Sequence, residues 1–430
     1  MVNVNDYSYL SDNEAFDSAI FHKDSDGIVI IPPRKSDIEP ERDWWLLDRA
    51  ILLPENTTVI LQNCKIKLSD KCRDNFFRTA NCGIGIEYPE KIENVHIKGM
   101  GLCVLEGADH PRAVGDSEKV LSNPCPHGDE NIRKYAQWIP DNERDSHEIT
   151  WHDRHAHSFG TDAGKEGESQ HGDWRNIGVL FANVHNFSVE NIKLVCYHGW
   201  GISFEACAFG SVKNIIFDAN MSKEIDGMLQ NMENQDGLNL RNGCHDITIS
   251  DITGNTGDDL VALTAIASPD FKPGGSLRTT HVMHNDWTKR ERDIYNVIIR
   301  NLKGTSHACL ILRLLPCEAQ IHDILIDGIV DTTVSPENTN GTIGLGEPDG
   351  AYGKVLPGSL KNIIINNVIS NRRIPIKNAG YLEDSIISNI VNKNPDASVI
   401  DVSRKGGMKN VTVSNIVTTG NKEIVCEHNR

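Results

Sequence analysis

The chain repeats itself. A polar residue at a position x is followed by apolar residues at x+1 and x+3, then by a small polar residue or Gly at x+5 and an apolar residue at x+6. Copies begin at Asn94, Asn186, Asn214, Asp246, Asn296, Asp323, Asn362, Asp384 and Asn410. Successive starts lie 92, 28, 32, 50, 27, 39, 22 and 26 residues apart, so the shortest step reads as one bare coil and the longer steps as coils carrying loops. Short strands on such a period cannot bury their apolar side singly and must stack on neighbouring copies, which is the signature of a β-solenoid. No amphipathic helical run longer than a few turns interrupts the pattern. The expectation is an all-β chain, a right-handed single-stranded parallel β-helix forming one domain over residues 1–430.

A second strand follows about a dozen residues into each copy. Read at x+11 or x+12, the chain gives Asp258, His307, Arg373 and Asp396, and Asp236 falls at the same phase once the longer step from Asn214 is allowed for. Trp200 lies near it. Strand-like segments come next: Gly237 to Leu240, Leu260 to Leu263, Cys309 to Leu312, and Ile374 to Ile376. Parallel strands in adjacent coils are about 4.7–4.9 Å apart, so Asp236, the Asp258/Asp259 pair and His307 are expected to form one strip on one face. Turn chemistry favours Asn and Asp for local reasons, but it does not explain the shared phase together with the histidine.

An acidic strip beside a histidine suits glycoside hydrolysis. That reaction needs a carboxylic acid to protonate the leaving oxygen and a carboxylate to act on the anomeric carbon or on a water. Carboxylates one coil apart repel, which raises the pKa of one of them and keeps it protonated near neutral pH.

At these residues the sequence resembles glycoside hydrolase family 28, the polygalacturonase and rhamnogalacturonase group of parallel β-helix enzymes. That family's pattern runs Asn-Thr-Asp-Gly, Gly-Asp-Asp, Gly-His-Gly and Arg-Ile-Lys. Here the first reads Asn234-Gln235-Asp236-Gly237 and the second Gly257-Asp258-Asp259, with 22 residues from Asp236 to Asp258. The third reads Ser306-His307-Ala308, displaced by an extra loop between residues 264 and 292. Where the fourth is due, the chain reads Asn340-Gly341-Thr342-Ile343-Gly344-Leu345 with no basic residue. In the family that Arg and Lys are thought to hold a sugar carboxylate, so their loss argues against a simple polygalacturonase.

The resemblance implies more along the chain, including a capping helix at about 11–21 that plugs the first coil. It also implies roles: Asp258 as general acid, Asp236 and Asp259 holding and deprotonating the attacking water, His307 orienting or tuning the acid, and Asn234 bonding substrate or a carboxylate. The outcome is hydrolysis with inversion of a pectic or related oligosaccharide. Arg313 and Arg373 are candidate sugar-binding cations, although Arg372, Arg373 and Lys377 read more simply as solvated turn residues.

The net charge of −17, from 43 basic and 60 acidic residues, disfavours nucleic acid, anionic membranes and polyanionic glycans as partners. The first thirty residues show neither a basic n-region nor an apolar h-region, and no stretch is long enough to span a bilayer. Eleven cysteines at irregular spacing, several in apolar strands (Cys103, Cys196, Cys309), read as reduced core residues. The expected location is therefore cytoplasmic, or secreted or periplasmic if a signal peptide has been removed.

The 94-to-186 step implies a long inserted loop or subdomain at about 107–174, rich in Pro, Gly and charge. It carries His110, His127, His147, His152, His155, His157 and His171, with Trp138, Trp151 and Trp174. Long ordered loops are usually functional. The run from His152 to His157 invites a metal, but its spacing fixes no geometry and no cysteine is near, so neither metal nor cofactor is expected. Trp151 is the candidate for stacking on a sugar ring at the rim.

Two other function classes fit the same fold. A polysaccharide lyase needs a base and a cation to stabilise an enolate, and no basic cluster adjoins Asp236 and Asp258. A non-catalytic carbohydrate-binding or adhesin solenoid is the other.

Overall fold

The computed structural model describes residues 1–72, 74–83, 86, 88–109, 142–143, 145–146, 148, 174–220, 222–225, 228–231, 235–266, 282–283, 290–307, 310–334, 340–347, 355–394, 398–404, 406–420 and 423–428. Most of the 107–174 insertion, including Trp151 and its histidines, lies outside these residues, as does Asn234. The chain divides into two compact units. The first comprises residues 1–203, 218–235 and 270–284, the second 204–217, 236–269 and 285–430.

The polar residue that opens each copy has a specific conformational task. Asn94, Asn186, Asn214, Asp246, Asn296, Asp323, Asn362, Asp384 and Asn410 all have φ between 49° and 61°, the left-handed region. Asn and Asp enter that region at lower cost than other residues with a Cβ. The residue five positions on does the same at Asn191, Asp251, Asn301, Asn367, Asn389 and Asn415. Each pair of left-handed residues brackets a short strand segment and bends the chain at both ends.

These turn residues also bond to one another across coils. In the second unit Asn296 Nδ2 donates to Asp246 Oδ1 at 3.1 Å, Asn362 to Asp323 at 2.8 Å and Asn410 to Asp384 at 2.7 Å. In the first unit Asn186 donates to Asn94 at 2.6 Å and Asn94 to Asn56 at 2.7 Å.

The second unit consists largely of two parallel ladders. One runs through His245–Thr256, Ile294–Ser306, Ile321–Asp331, Leu360–Ser370, Tyr381–Asn392 and Gly407–Thr418. Ile247, Val297, Ile324 and Ile363 are register partners in turn, as are Ile249, Ile299, Ile326 and Ile365. All eight are at most 2% exposed, so the expected interior stack forms, each such side chain contributing about 1.5–3 kcal/mol. The other ladder runs through Leu238–Arg241, Val261–Ile266, Leu312–Cys317, Ile343–Leu345, Ile376–Asn378, Ile400–Val402 and Val425–Glu427. Its inward column is Leu238, Val261, Leu312, Ile343, Ile376, Ile400 and Val425. Four segments of this ladder begin later than the sequence suggests, at Leu238 rather than Gly237, Val261 rather than Leu260, Leu312 rather than Cys309 and Ile376 rather than Ile374.

The first unit is built in the same way. Val2–Asn3, Ile28–Ile31, Thr57–Gln62, Ile92–Met100 and Val184–Val195 pair in parallel, and Ile51–Leu53, Phe77–Thr79 and Val179–Ala182 form a second parallel set. A helix, Asp12–Phe21, opens with a capping box in which the Glu14 carboxylate accepts from the Ser11 backbone N–H at 3.1 Å. Its buried residues Asp12, Ala15, Phe16, Ala19 and Ile20 follow helical spacing, and Phe16 meets Trp45 with ring centroids 4.9 Å apart. Parallel strands stacked coil upon coil in register make the chain a parallel β-helix.

Candidate functional site

The second ladder of the second unit positions the carboxylates. Leu238 and Val261 are register partners, so Asp236 and Asp259 each stand two residues ahead of a paired position. The Gly237 N–H donates to the Asp259 carbonyl at 2.8 Å, and the Leu238 N–H to the Leu260 carbonyl at 3.0 Å. The coil step here is 23 residues. Asp236 is thus aligned with Asp259, whereas the 22-residue motif spacing had aligned it with Asp258. Asp258 occupies the preceding turn position.

Asp236 is 5% exposed. Its Oδ2 accepts from Asn239 Nδ2 at 3.0 Å, and its Oδ1 is buried with no hydrogen-bond partner among the described residues. Burial holds its pKa well above the ordinary carboxylate range, and the negative charges of Asp258 and Asp259 push it further. Asn239 and Arg313 pull the other way but do not offset this. Burial and the two neighbouring carboxylates thus both favour the neutral form of Asp236.

Asp259 is held differently. Its Oδ1 accepts from the Leu310 N–H at 2.9 Å and its Oδ2 from Arg313 Nε at 2.5 Å. Arg313 Nη1 donates on to Glu347 at 3.0 Å. The sequence offered Arg313 as a cation for a sugar; the fold commits it to two carboxylates. Asn239, Ala262 and Arg313 form one outward column by register, which continues through Gly344.

Asp258 is half-buried, and its backbone is pinned from two sides. The hydroxyls of Thr256 and Ser306 each donate to the Asp258 carbonyl at 2.7 Å. Thr256 and Ser306 are themselves register partners, and the His307 N–H donates to the Thr256 carbonyl at 3.1 Å. His307 therefore leaves the same hydroxyl-pinned turn as Asp258, with an exposed side chain. Partial burial, then the charge of Arg372, lowers its pKa, so the imidazole is neutral at neutral pH.

Arg372 overturns its reading as a solvated turn cation. It is fully buried, its Nε donating to Asp331 Oδ2 at 3.0 Å and its Nη2 to the Ser306 carbonyl at 2.9 Å and the Thr333 hydroxyl at 3.2 Å. Asp331 also accepts from the Thr342 hydroxyl at 2.6 Å and the Thr333 N–H at 2.9 Å. This ion pair fixes the carbonyl just before His307. Arg373 is exposed, three coils beyond Asp258 and Asp259, and among the described residues it makes no ion pair with the carboxylates.

Trp200 belongs to the first unit. It is 9% exposed, and its carbonyl accepts from the Gly178 N–H at 2.8 Å. Trp174 of the same unit is buried beneath the Arg78 guanidinium, 5.0 Å from the ring centroid. Cys103 is buried as expected, Cys196 only half-buried, and Cys309 lies outside the described residues.

Sequence motifs missed Asn239, Asp331 and Glu347. Asn239 carries a readable signal, being the polar residue between the two inward leucines of Leu238-Asn239-Leu240. Asp331 and Glu347 carry none, because their partners lie 41 and 34 residues away.

No family model and no curated protein matches the sequence. Solved structures do. The family 28 exopolygalacturonase of Yersinia enterocolitica is 12% identical, the match covering 99% of this chain and 77% of that one at a TM-score of 0.50. The endo-xylogalacturonan hydrolase of Aspergillus tubingensis is 13% identical over 98% of this chain and 94% of that one, with a TM-score of 0.54. The Streptococcus pneumoniae surface protein and adhesin PfbA is 12% identical over 99% of each chain, with a TM-score of 0.57. The fold is that of the pectin-lyase-like β-helix proteins. Hydrolases and an adhesin share it, so it does not by itself assign an activity.

Proposed function

We propose that the protein is a glycoside hydrolase acting on a pectic or related oligosaccharide through Asp236, Asp258 and Asp259. The observation that carries this reading is the setting of Asp236: a buried carboxyl with one oxygen unpartnered among the described residues, its pKa pushed up by burial and by the charges of Asp258 and Asp259. A purely structural aspartate does not need that arrangement, and perturbed acids crowded together are a mark of catalytic sites.

Asp236 is too enclosed to reach a glycosidic oxygen, whereas Asp258 opens to solvent. Asp258 is the carboxyl placed to protonate the leaving oxygen, while Asp236 lines the site beneath it. Asp259, fixed by Leu310 and Arg313, holds and activates the water. His307, neutral, orients Asp258 or the leaving group. The substrate sugar at this position is neutral, since Arg313 is already paired and Gly344 follows it in the outward column.

A binding role without catalysis has its own support in the adhesin, matched over 99% of each chain. Release of reducing ends from a panel of pectic and hemicellulosic oligosaccharides separates the two. Release by the wild type and its loss in Asp258→Asn supports the hydrolase; saturable binding with no release of reducing ends overturns it. An unsaturated product absorbing in the ultraviolet would indicate elimination instead.

A further inference from the structure

The outward column that carries Arg313 continues through Gly344 and Lys377 to Asp401 and Cys426, which are register partners on the Ile400–Val402 and Val425–Glu427 strands. Parallel neighbours stand about 4.7–4.9 Å apart, and side chains two residues apart share a face. His428 is two residues after Cys426, and its backbone N–H donates to the Val402 carbonyl at 3.2 Å, which continues the ladder. His428 Nε2 lies 2.7 Å from Asp401 Oδ1. The carboxylate oxygen, thiol sulfur and imidazole nitrogen all lie within 4.8 Å of one another.

We propose that Asp401, Cys426 and His428 form a binding site for a borderline divalent transition metal, zinc being the fitting ion. Zinc binds oxygen, nitrogen and thiolate at about 2.0–2.3 Å, which sets tetrahedral ligands roughly 3.3–3.8 Å apart. The three donor atoms, all within 4.8 Å of one another, bracket that separation. Sulfur and nitrogen donors select against magnesium and calcium. Asp401 and His428 side chains are 20% and 51% exposed, so water takes the fourth position. Lys377 precedes Asp401 in the column, yet among the described residues the ion pair of Asp401 is with His428.

The site also has a structural use. Val425–Glu427 pairs with Ile400–Val402 alone among the described strands, and its residues are half-buried or exposed. Nearby Ile424 is 43% and Val417 58% exposed. This coil has little apolar packing to hold it, and a metal bridging two strands supplies a tie that burial does not.

Titration of the full-length, metal-free protein with cobalt(II) tests the site. The expected result is one equivalent giving tetrahedral d–d absorption together with a thiolate-to-cobalt charge-transfer band, displaced by zinc. Cys426→Ser abolishes the band, and Asp401→Asn and His428→Asn each weaken zinc affinity by more than the roughly 10–100-fold cost of losing an outer-shell partner. Zinc raises the Tm of the wild type and not of Cys426→Ser. A band that survives Cys426→Ser, or cobalt bound without the band through imidazoles such as His152, His155 and His157, overturns the proposal. These readouts are independent of any glycosidase activity.

Discussion

Arg372 and Asp331 form a 3.0 Å ion pair in which neither side chain is exposed to solvent at all. Burying both charges is expensive, and apolar residues of the same volume often serve stability as well or better. What this pair provides is position. Arg372 bonds the Ser306 carbonyl, Ser306 bonds the Asp258 carbonyl, and His307 follows Ser306 directly.

Arg372→Met leaves Asp331 buried without its countercharge. The expected loss is about 3–5 kcal/mol in urea unfolding. The double variant Arg372→Met/Asp331→Leu recovers part of that loss. In any folded form lacking Arg372, NMR titration is expected to show the His307 pKa moving up, since the Arg372 charge lowers it. An unchanged His307 titration would separate Arg372 from the site.

Asp236 predicts a pH dependence of stability. Its native pKa is raised above the unfolded value, so the folded state keeps a proton that the unfolded chain releases. The stability from that proton is complete below the unfolded carboxylate range and is lost as pH rises through the native pKa. Asp236→Asn keeps the shape and removes the titration. Denaturation midpoints measured from acid to neutral pH are expected to fall less steeply with pH in the variant, with greater stability than wild type at the upper end.

Asp258→Asn removes the carboxyl proposed to protonate the leaving oxygen. On the true substrate, kcat is expected to fall by about 10²–10⁴ with folding retained. Near-normal turnover would take Asp258 out of the role.

The proposed roles predict a stereochemical outcome. With one delivering the proton and another holding a water, hydrolysis inverts the anomeric centre. Proton NMR of the first-formed product is expected to show the configuration opposite to that of the substrate. Retention would require a carboxylate bonded to the sugar and would overturn the assignment.

The ladder turns make a stability prediction of their own. Asn296 sits at φ 53° and donates to Asp246. Asn296→Ala is expected to cost roughly 1–2 kcal/mol for the left-handed backbone alone, and Asn296→Gly less, since glycine accepts that conformation. Chemical denaturation of the two variants compares them directly.

The coil was legible in the sequence because each copy solves the same local problem. A left-handed bend favours Asn or Asp, and alternate residues must be apolar to face inward. Asn296-Val297-Ile298-Ile299 states both requirements in four letters, and Ile247, Val297, Ile324 and Ile363 stack as that pattern implies. The candidate carboxylates were legible for the same reason, as departures from apolar alternation at one phase.

Tertiary structure decided what those carboxylates are. Whether Asp236 aligns with Asp258 or Asp259 depends on a one-residue difference in coil length, which hydrogen bonding between strands sets and motif spacing does not. Arg313 and Arg372 look alike in sequence, yet one is drawn to Asp259 and Glu347 and the other is enclosed with Asp331. Those partners lie 34 to 54 residues away along the chain. Local preference is written residue by residue, whereas charge pairing and desolvation act through space, and only stacking the coils brings the partners within reach.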